Sequence, residues 1–386
     1  MRVLYDHQAF QMQYFGGVSK CFCELIGHMP AEVEPHISIV ESNNVHLRES
    51  GLVPGLKPVS IDHKQWGRRH PGRLMDILYL AANKLLPLPT ADSRNRRATY
   101  AALRAQEFDV FHPTFFKPEF LSLLGTKPFV LTIHDMTPEL FPQYFGADPQ
   151  VRWKRQLVDR AAAVVTVSEC TKRDVMRLLG VPEEKISVIY HGGPQRIQAR
   201  STERIVFGPY FFYVGQRFGY KNFEAMLRAF AVCADRNPDL QHRLVCTGAS
   251  LTSAEKQLIH TLGLELRVLQ LHASDQEMQI LYQWADAFVY PSDYEGFGMP
   301  ILEAYANGCP VLLNRASCFP EVAGDAAIYF DSHDVEGSFA AALQRVVEWS
   351  AAERQELVAR GYERLEKFSW QKAASQLADV YKKVIQ

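Results

Sequence analysis

The sequence predicts an α/β protein made of two doubly wound domains. Three observations carry that expectation. Short apolar runs alternate with helical patterns almost throughout the chain. The alternation pauses once, near the middle. The 386 residues, 47% hydrophobic and 22% charged, are enough for two cores.

In chain order, the apolar runs of the first half are "MRVLYD", "PHISIVE", "DVFHPT", "PFVLTIHD", "AAVVTVSE" and "ISVIYHG". Those of the second half are "YFFYVG", "HRLVCTG", "LRVLQLH", "DAFVYPS", "PVLLNRAS" and "AAIYFD". Several are rich in Val, Ile, Phe and Tyr, and most end in Gly, Ser, Asp or His, the pattern of buried parallel strands. Helical stripes lie between them. Phe223, Met226, Leu227, Phe230 and Ala231 share one face, with Asn222 expected as the N-cap. The pause is "GGPQRIQARSTERIVFGP" (192–209), polar and punctuated by Gly and Pro, and is read as the linker. The expected division is an N-terminal Rossmann-like domain at 1–195, a second one at 205–367, and a final helix, 368–386, packing back on the first. Ligands of such sheets sit at the carboxyl ends of the strands, so two facing sheets would make a cleft.

Composition excludes several classes. A net charge of -1 gives no field for nucleic acid. No apolar run is long enough to span a bilayer, and the start is not a secretory signal. Seven scattered cysteines without CxxC spacing read as free thiols of a reducing, cytoplasmic compartment. Thirteen histidines without HExxH spacing give no expectation of bound metal.

Four short stretches at strand ends could carry chemistry. In "PSDYEGFGMPILEAYANG" (291–308), Glu295 sits in a strand-to-helix loop and Glu303 about one turn into the helix. Gly296 and Gly298, flanking Phe297, would let the backbone approach a ligand, and free helix-start N–H groups favour a phosphate. The two carboxylates would repel that anion, so they suit hydroxyl groups on either side of it, as in a sugar and a ribose joined by a diphosphate. Alone, the pair equally fits a solvated loop glutamate and a dipole-favoured helix glutamate. In "YFFYVGQRFGYKN" (210–222), Arg217 and Lys221 could bind a diphosphate and stabilise it as a leaving group, or be surface cations. His134 ends the strand of "VLTIHD", where a lone histidine is more often structural. Gly16 and Gly17 of "FGGVSK" follow the first strand but lack the GxGxxG pattern.

Together with "TIHDMTPELFPQYF" (132–145), "VTVSECTKRDV" (165–175) and "FPEVAGDAAIYFD" (319–331), these stretches make the chain resemble the retaining family-4 glycosyltransferases of GT-B fold. Within them it looks like the bacterial mannosyltransferase-B-like group that builds surface polysaccharides. The match runs nearly end to end. The resemblance implies that Glu295 contacts hydroxyls of the transferred sugar and Glu303 holds the ribose. Arg217 and Lys221 would grip the diphosphate. The backbone at Gly16 and Gly17 would face the phosphates, and the turn Gly296-Phe297-Gly298 would lie against the donor. His134 would hydrogen-bond the sugar at its C6 hydroxyl. No cofactor and no metal are expected, the nucleotide sugar being a substrate; GDP-mannose is the expected donor, and a saccharide or lipid-linked saccharide the acceptor. Many relatives carry Arg directly before the Lys-Asn pair, where this chain has Tyr220, which loosens the role of Arg217.

A basic, leucine-bearing stretch, 61–104, has nine Lys/Arg against three acids. It could lie against anionic lipid on the cytoplasmic face of the inner membrane. The competing readings are a nucleotide-sugar epimerase or phosphorylase of the same fold, and a non-catalytic nucleotide-sugar-binding protein.

Overall fold

All twelve apolar runs become strands. The structure, a computed structural model, describes residues 1–59 and 90–386. The strands are β1 (Arg2–Tyr5), β2 (Glu34–Ile37), β3 (Val110–His112), β4 (Val130–Ile133), β5 (Ala163–Thr166) and β6 (Ile186–Val188) in the first half. The second half holds β7 (Tyr210–Val214), β8 (Arg243–Thr247), β9 (Val268–Leu271), β10 (Ala287–Tyr290), β11 (Val311–Asn314) and β12 (Ala327–Phe330).

The second-half strands form one parallel sheet in the order β12-β11-β10-β7-β8-β9. Its order reverses between β7 and β10, so the loops after those two strands diverge around a crevice. The first-half strands pair as β2-β1-β3 and β4-β5-β6, and a parallel bridge between Phe111 and Phe129 joins the two groups. That sheet reverses between β1 and β3. Every residue of β4, β10 and β11 is buried, which is why these strands read as unbroken apolar runs.

The last helix, Trp370–Ile385, lies against the first sheet. Its Trp370, Leu377 and Tyr381 share a core with Val3, Tyr5 and Val110. The Tyr381 hydroxyl meets the Tyr5 hydroxyl at 2.8 Å and His112 Nδ1 at 2.5 Å. The linker segment is held to the second half by stacked cations, with the guanidinium groups of Arg200 and Arg204 3.5 and 3.6 Å from the Trp284 ring centre. The two halves are not separate cores. One continuous buried cluster contains Leu131, Ile133 and Met136 from the first and Tyr294, Phe297 and Leu302 from the second.

Among the described residues, no helix is long and apolar enough to cross a membrane. Of the basic stretch, residues 61–89 lie outside the described residues. Arg94, Arg96, Arg97 and Arg104 fall on the helix Ala91–Ala105.

Candidate active site

The site forms where the β7 and β10 loops diverge. After β7 the chain turns through Gly215 to Lys221 and enters the helix Phe223–Arg236. After β10 it runs through Glu295 to Gly298, which adopts φ +88° as the cap of the helix Met299–Ala306. Lys221 Nζ donates to Glu295 Oε1 at 2.5 Å, with both side chains 15% exposed. Burial alone would weaken the Lys221 ammonium. Glu295 and the Tyr220 phenol outweigh it, so its pKa lies above the usual lysine value.

Asn222 occupies the N-cap position but does not cap. It sits in the left-handed region at φ 54°, and its amide donates to Pro291 O, Asp293 Oδ1 and Ser332 Oγ. The expected cap is instead a tie between the two loops that carry Lys221 and Glu295.

Arg217 sits apart from that pair. Its Nε donates to Glu255 at 2.9 Å and its Nη2 to the carbonyls of Ala249 and Ser250. Its Nη1 is shielded and has no hydrogen-bond partner among the described residues.

Glu303 faces the first domain, where Lys20, on the helix Gly17–Gly27, reaches it across the cleft at 3.5 Å. A Cβ added to Gly17 would meet open space. Near Gly16, one N–H of the helix start is already taken, since Ser19 N donates to Gln13 Oε1.

His134 follows β4. Its Nε2 is shielded and has no hydrogen-bond partner among the described residues. Burial pushes its pKa down to about 4, against the opposing effect of Asp135, so the ring is neutral near pH 7. Cys21, His134 and His191 bring their ligand atoms within 4.8 Å of one another. Three separate elements supply them, so no local spacing could have revealed the cluster. A zinc ion at its usual bond lengths needs neighbouring ligand atoms roughly 3.5 Å apart. The Cys21 thiol already contacts His191 Nδ1 at 3.3 Å, and burial raises its pKa well above the usual thiol value.

The Gly296 turn carries a constraint that comes from the facing domain. A Cβ there would fall 1.8 Å from the His134 carbonyl oxygen, so the glycine lets the two domains touch. Phe297, 4% exposed, packs against His191 with ring centres 5.0 Å apart. Further contacts seal the same seam. Met136 N donates to the Tyr294 hydroxyl, and the Phe141 ring stacks on Tyr220 at 4.8 Å. The Glu321 carboxylate accepts from the N–H groups of Glu169 and Cys170. Residue typing missed Lys20, Ser168, Thr171 and Glu321. The available signals were the helix-starting "SECT" and the "FPEVAGD" run, to which no role was attached.

A cavity of about 600 Å³ opens at the ends of β10, β11 and β12, lined by Asp293, Asn314, Arg315, Tyr329 and His333. Neither Lys221 nor Glu295 lines it. The chemistry of the closed seam makes the better candidate site.

Two Rossmann-like domains closed on each other at their sheet switch points define the GT-B class. Anabaena HepE, solved with UDP and glucose, superposes with a TM-score of 0.71 at 18% identity, covering 99% of this chain and 100% of that one. Residues 15–194 match the model described as Glycosyltransferase Family 4, and residues 197–364 match Glycosyl transferases group 1. The chain belongs to the family-4 glycosyltransferases of GT-B fold. It is similar to O-antigen chain mannosyltransferase B of Escherichia coli, 28% identical over 73% of this chain and 76% of the relative. It is also similar to O-antigen chain mannosyltransferase RfbU of Salmonella typhimurium, 32% identical over 56% of this chain and 60% of the relative.

Proposed function

We propose that this glycosyltransferase moves a hexose, mannose from GDP-mannose, onto a saccharide or lipid-linked saccharide during surface polysaccharide synthesis, with retention of anomeric configuration and without a metal ion. The observation that carries the site assignment is the Lys221–Glu295 pair at the second sheet's switch point. The mannosyltransferase relatives support the choice of sugar.

In this account the diphosphate lies beside Lys221, whose high pKa keeps it charged. The bond between the anomeric carbon and the phosphate oxygen breaks, and its electron pair goes to that oxygen, where Lys221 offsets the charge. Arg217 acts on the same group through its unpartnered Nη1. The acceptor hydroxyl attacks from the face the diphosphate leaves, and its proton passes to the departing oxygen. Glu295 holds sugar hydroxyls, Glu303 the ribose, and the neutral His134 a sugar hydroxyl through Nε2. The backbone at Gly16 and Gly17 borders the phosphates, and Gly296 to Gly298 hold Glu295 in place. Contact with anionic lipid through the basic stretch 61–104 would bring a lipid-linked acceptor to the cleft; flotation with anionic liposomes tests it, salt-insensitive or absent binding counting against it.

The testing experiment is a thermal-shift panel of nucleotide sugars, followed by product analysis with Glu295→Ala alongside. Stabilisation by GDP-mannose and loss of transfer in the variant support the proposal. Stabilisation by a UDP-sugar alone would replace the donor. An epimerised nucleotide sugar formed without acceptor would replace the reaction.

A further inference from the structure

Glu295 belongs to the second domain, but its loop is held from both. Within its own domain, Glu295 N donates to Ser317 Oγ at 3.2 Å, and Ser317 Oγ donates back to the Glu295 carbonyl at 2.7 Å. The next peptide is held by the first domain. The Gly296 carbonyl accepts from Ser168 Oγ at 2.7 Å and from Thr171 Oγ1 at 3.3 Å. Both hydroxyl residues are 0% exposed, so water does not substitute for them in this arrangement.

Ser168 and Thr171 open the helix Glu169–Leu179, and Ser168 Oγ also accepts from Thr171 N. The Glu321 carboxylate from the second domain accepts from the next two N–H groups of that start. One helix start therefore meets two loops of the opposite domain. A peptide pinned on one side by its own domain and on the other by the facing domain has a fixed orientation only when the domains are closed.

We infer that Ser168 and Thr171 are positioning residues for the transfer reaction, aligning Glu295 through the Gly296 carbonyl so that the carboxylate reaches its working geometry only on domain closure. This inference rests on the proposed role of Glu295 at the donor sugar. It goes further in giving the first domain a part in ordering the donor side of the cleft. A loop free to shift by about 1 Å costs on the order of a hundredfold in rate when it carries a group that contacts the reacting sugar. Lys221 and Glu303, the proposed nucleotide contacts, lie on other elements; Lys221 meets Glu295 directly, so nucleotide affinity is expected to change by less than turnover.

The test uses the full chain with Ser168→Ala, Thr171→Val and the double variant, with Ser168→Thr as the conservative change that keeps both the cap and the donor. GDP release from GDP-mannose is followed with methyl α-mannoside or water as acceptor, GDP affinity by calorimetry, and melting temperature in parallel. The expected result is at least a tenfold loss of kcat in the double variant, GDP affinity within twofold of the parent, and near-parental kcat in Ser168→Thr. Thr171→Val leaves the Ser168 cap intact and keeps the test alive if Ser168→Ala folds poorly. Parental kcat in Thr171→Val and the double variant, beside an inactive Glu295→Ala, overturns this inference alone. A fall in kcat matched by equal losses of GDP affinity and melting temperature also overturns it, because that is a structural role. An active Glu295→Ala removes the underlying site assignment as well.

Discussion

Gly296→Ala tests the closed seam with one methyl group. The added Cβ would sit 1.8 Å from the His134 carbonyl oxygen and 2.9 Å from its carbon, where real Cβ contacts do not fall below 3.0 Å. The obstacle is backbone, so no rotamer relieves it. Gly296 is not in the left-handed region, so alanine is not penalised for its own conformation. The domains must part locally by roughly 1.2 Å, or the loop must shift by as much. Either movement stretches the hydrogen bonds from Ser168 and Thr171. Overpacking of this kind costs about 1–3 kcal/mol, borne at the seam and not within either sheet. A displacement near 1 Å next to Glu295 should lower turnover by about a hundredfold. The assay is GDP release from GDP-mannose, with GDP affinity measured alongside; Lys221 stays on the β7 loop while its partner Glu295 shifts, so affinity is expected to fall by less than turnover. Parental turnover in Gly296→Ala would refute the reasoning, because it would mean the working enzyme does not bring Gly296 against His134.

Three further outcomes follow, two from buried groups and one from a half-exposed pair. His112, His134 and His191 are held neutral by burial, with pKa values of about 3, 4 and 3. Below the ordinary value near 6.5, the unfolded chain binds protons the folded one refuses, so stability is lost as pH falls from 6.5 toward 4, by up to about 4 kcal/mol per pH unit for three groups; denaturant melts at pH 7 and 5 with equal midpoints would contradict this. Tyr381→Phe leaves Tyr5 and His112 Nδ1 without a buried partner and should cost about 1–3 kcal/mol in chemical denaturation, with no change in GDP affinity. Lys20→Ala should move stability by less than about 1 kcal/mol, because the Lys20–Glu303 pair is 3.5 Å long and 40% and 29% exposed; a larger loss on thermal melting would show that this contact holds the cleft shut.

The fold was legible because buried parallel strands leave a local trace: β10 and β11 are apolar at nearly every position since both faces are covered. The ends of those strands were legible for the same reason, and with them the loops carrying Lys221 and Glu295. Relations between distant residues were not. Asn222 looks like a cap beside its helix and turns out to join two loops, because its partners Asp293 and Ser332 lie 71 and 110 residues away. Gly296 looks like room for a ligand, and only the fold brings the His134 carbonyl against it. Arg217 and Lys221 read as one cation pair, yet each has its own carboxylate, Glu255 in the first turn of a helix and Glu295 in the β10 loop. Spacing along the chain carries no information about contacts of this kind. They are set by the strand order within the second sheet and, for Gly296, by how the two sheets face each other.

The donor site at Lys221 and Glu295 is tested by calorimetric titration of GDP-mannose into the parent chain and into Lys221→Ala. The expected result is saturable binding to the parent and, with the cation beside Glu295 gone, at least a tenfold weaker affinity in a variant that remains folded. Equal affinity in the two proteins, or no nucleotide-sugar binding to the parent, would contradict it.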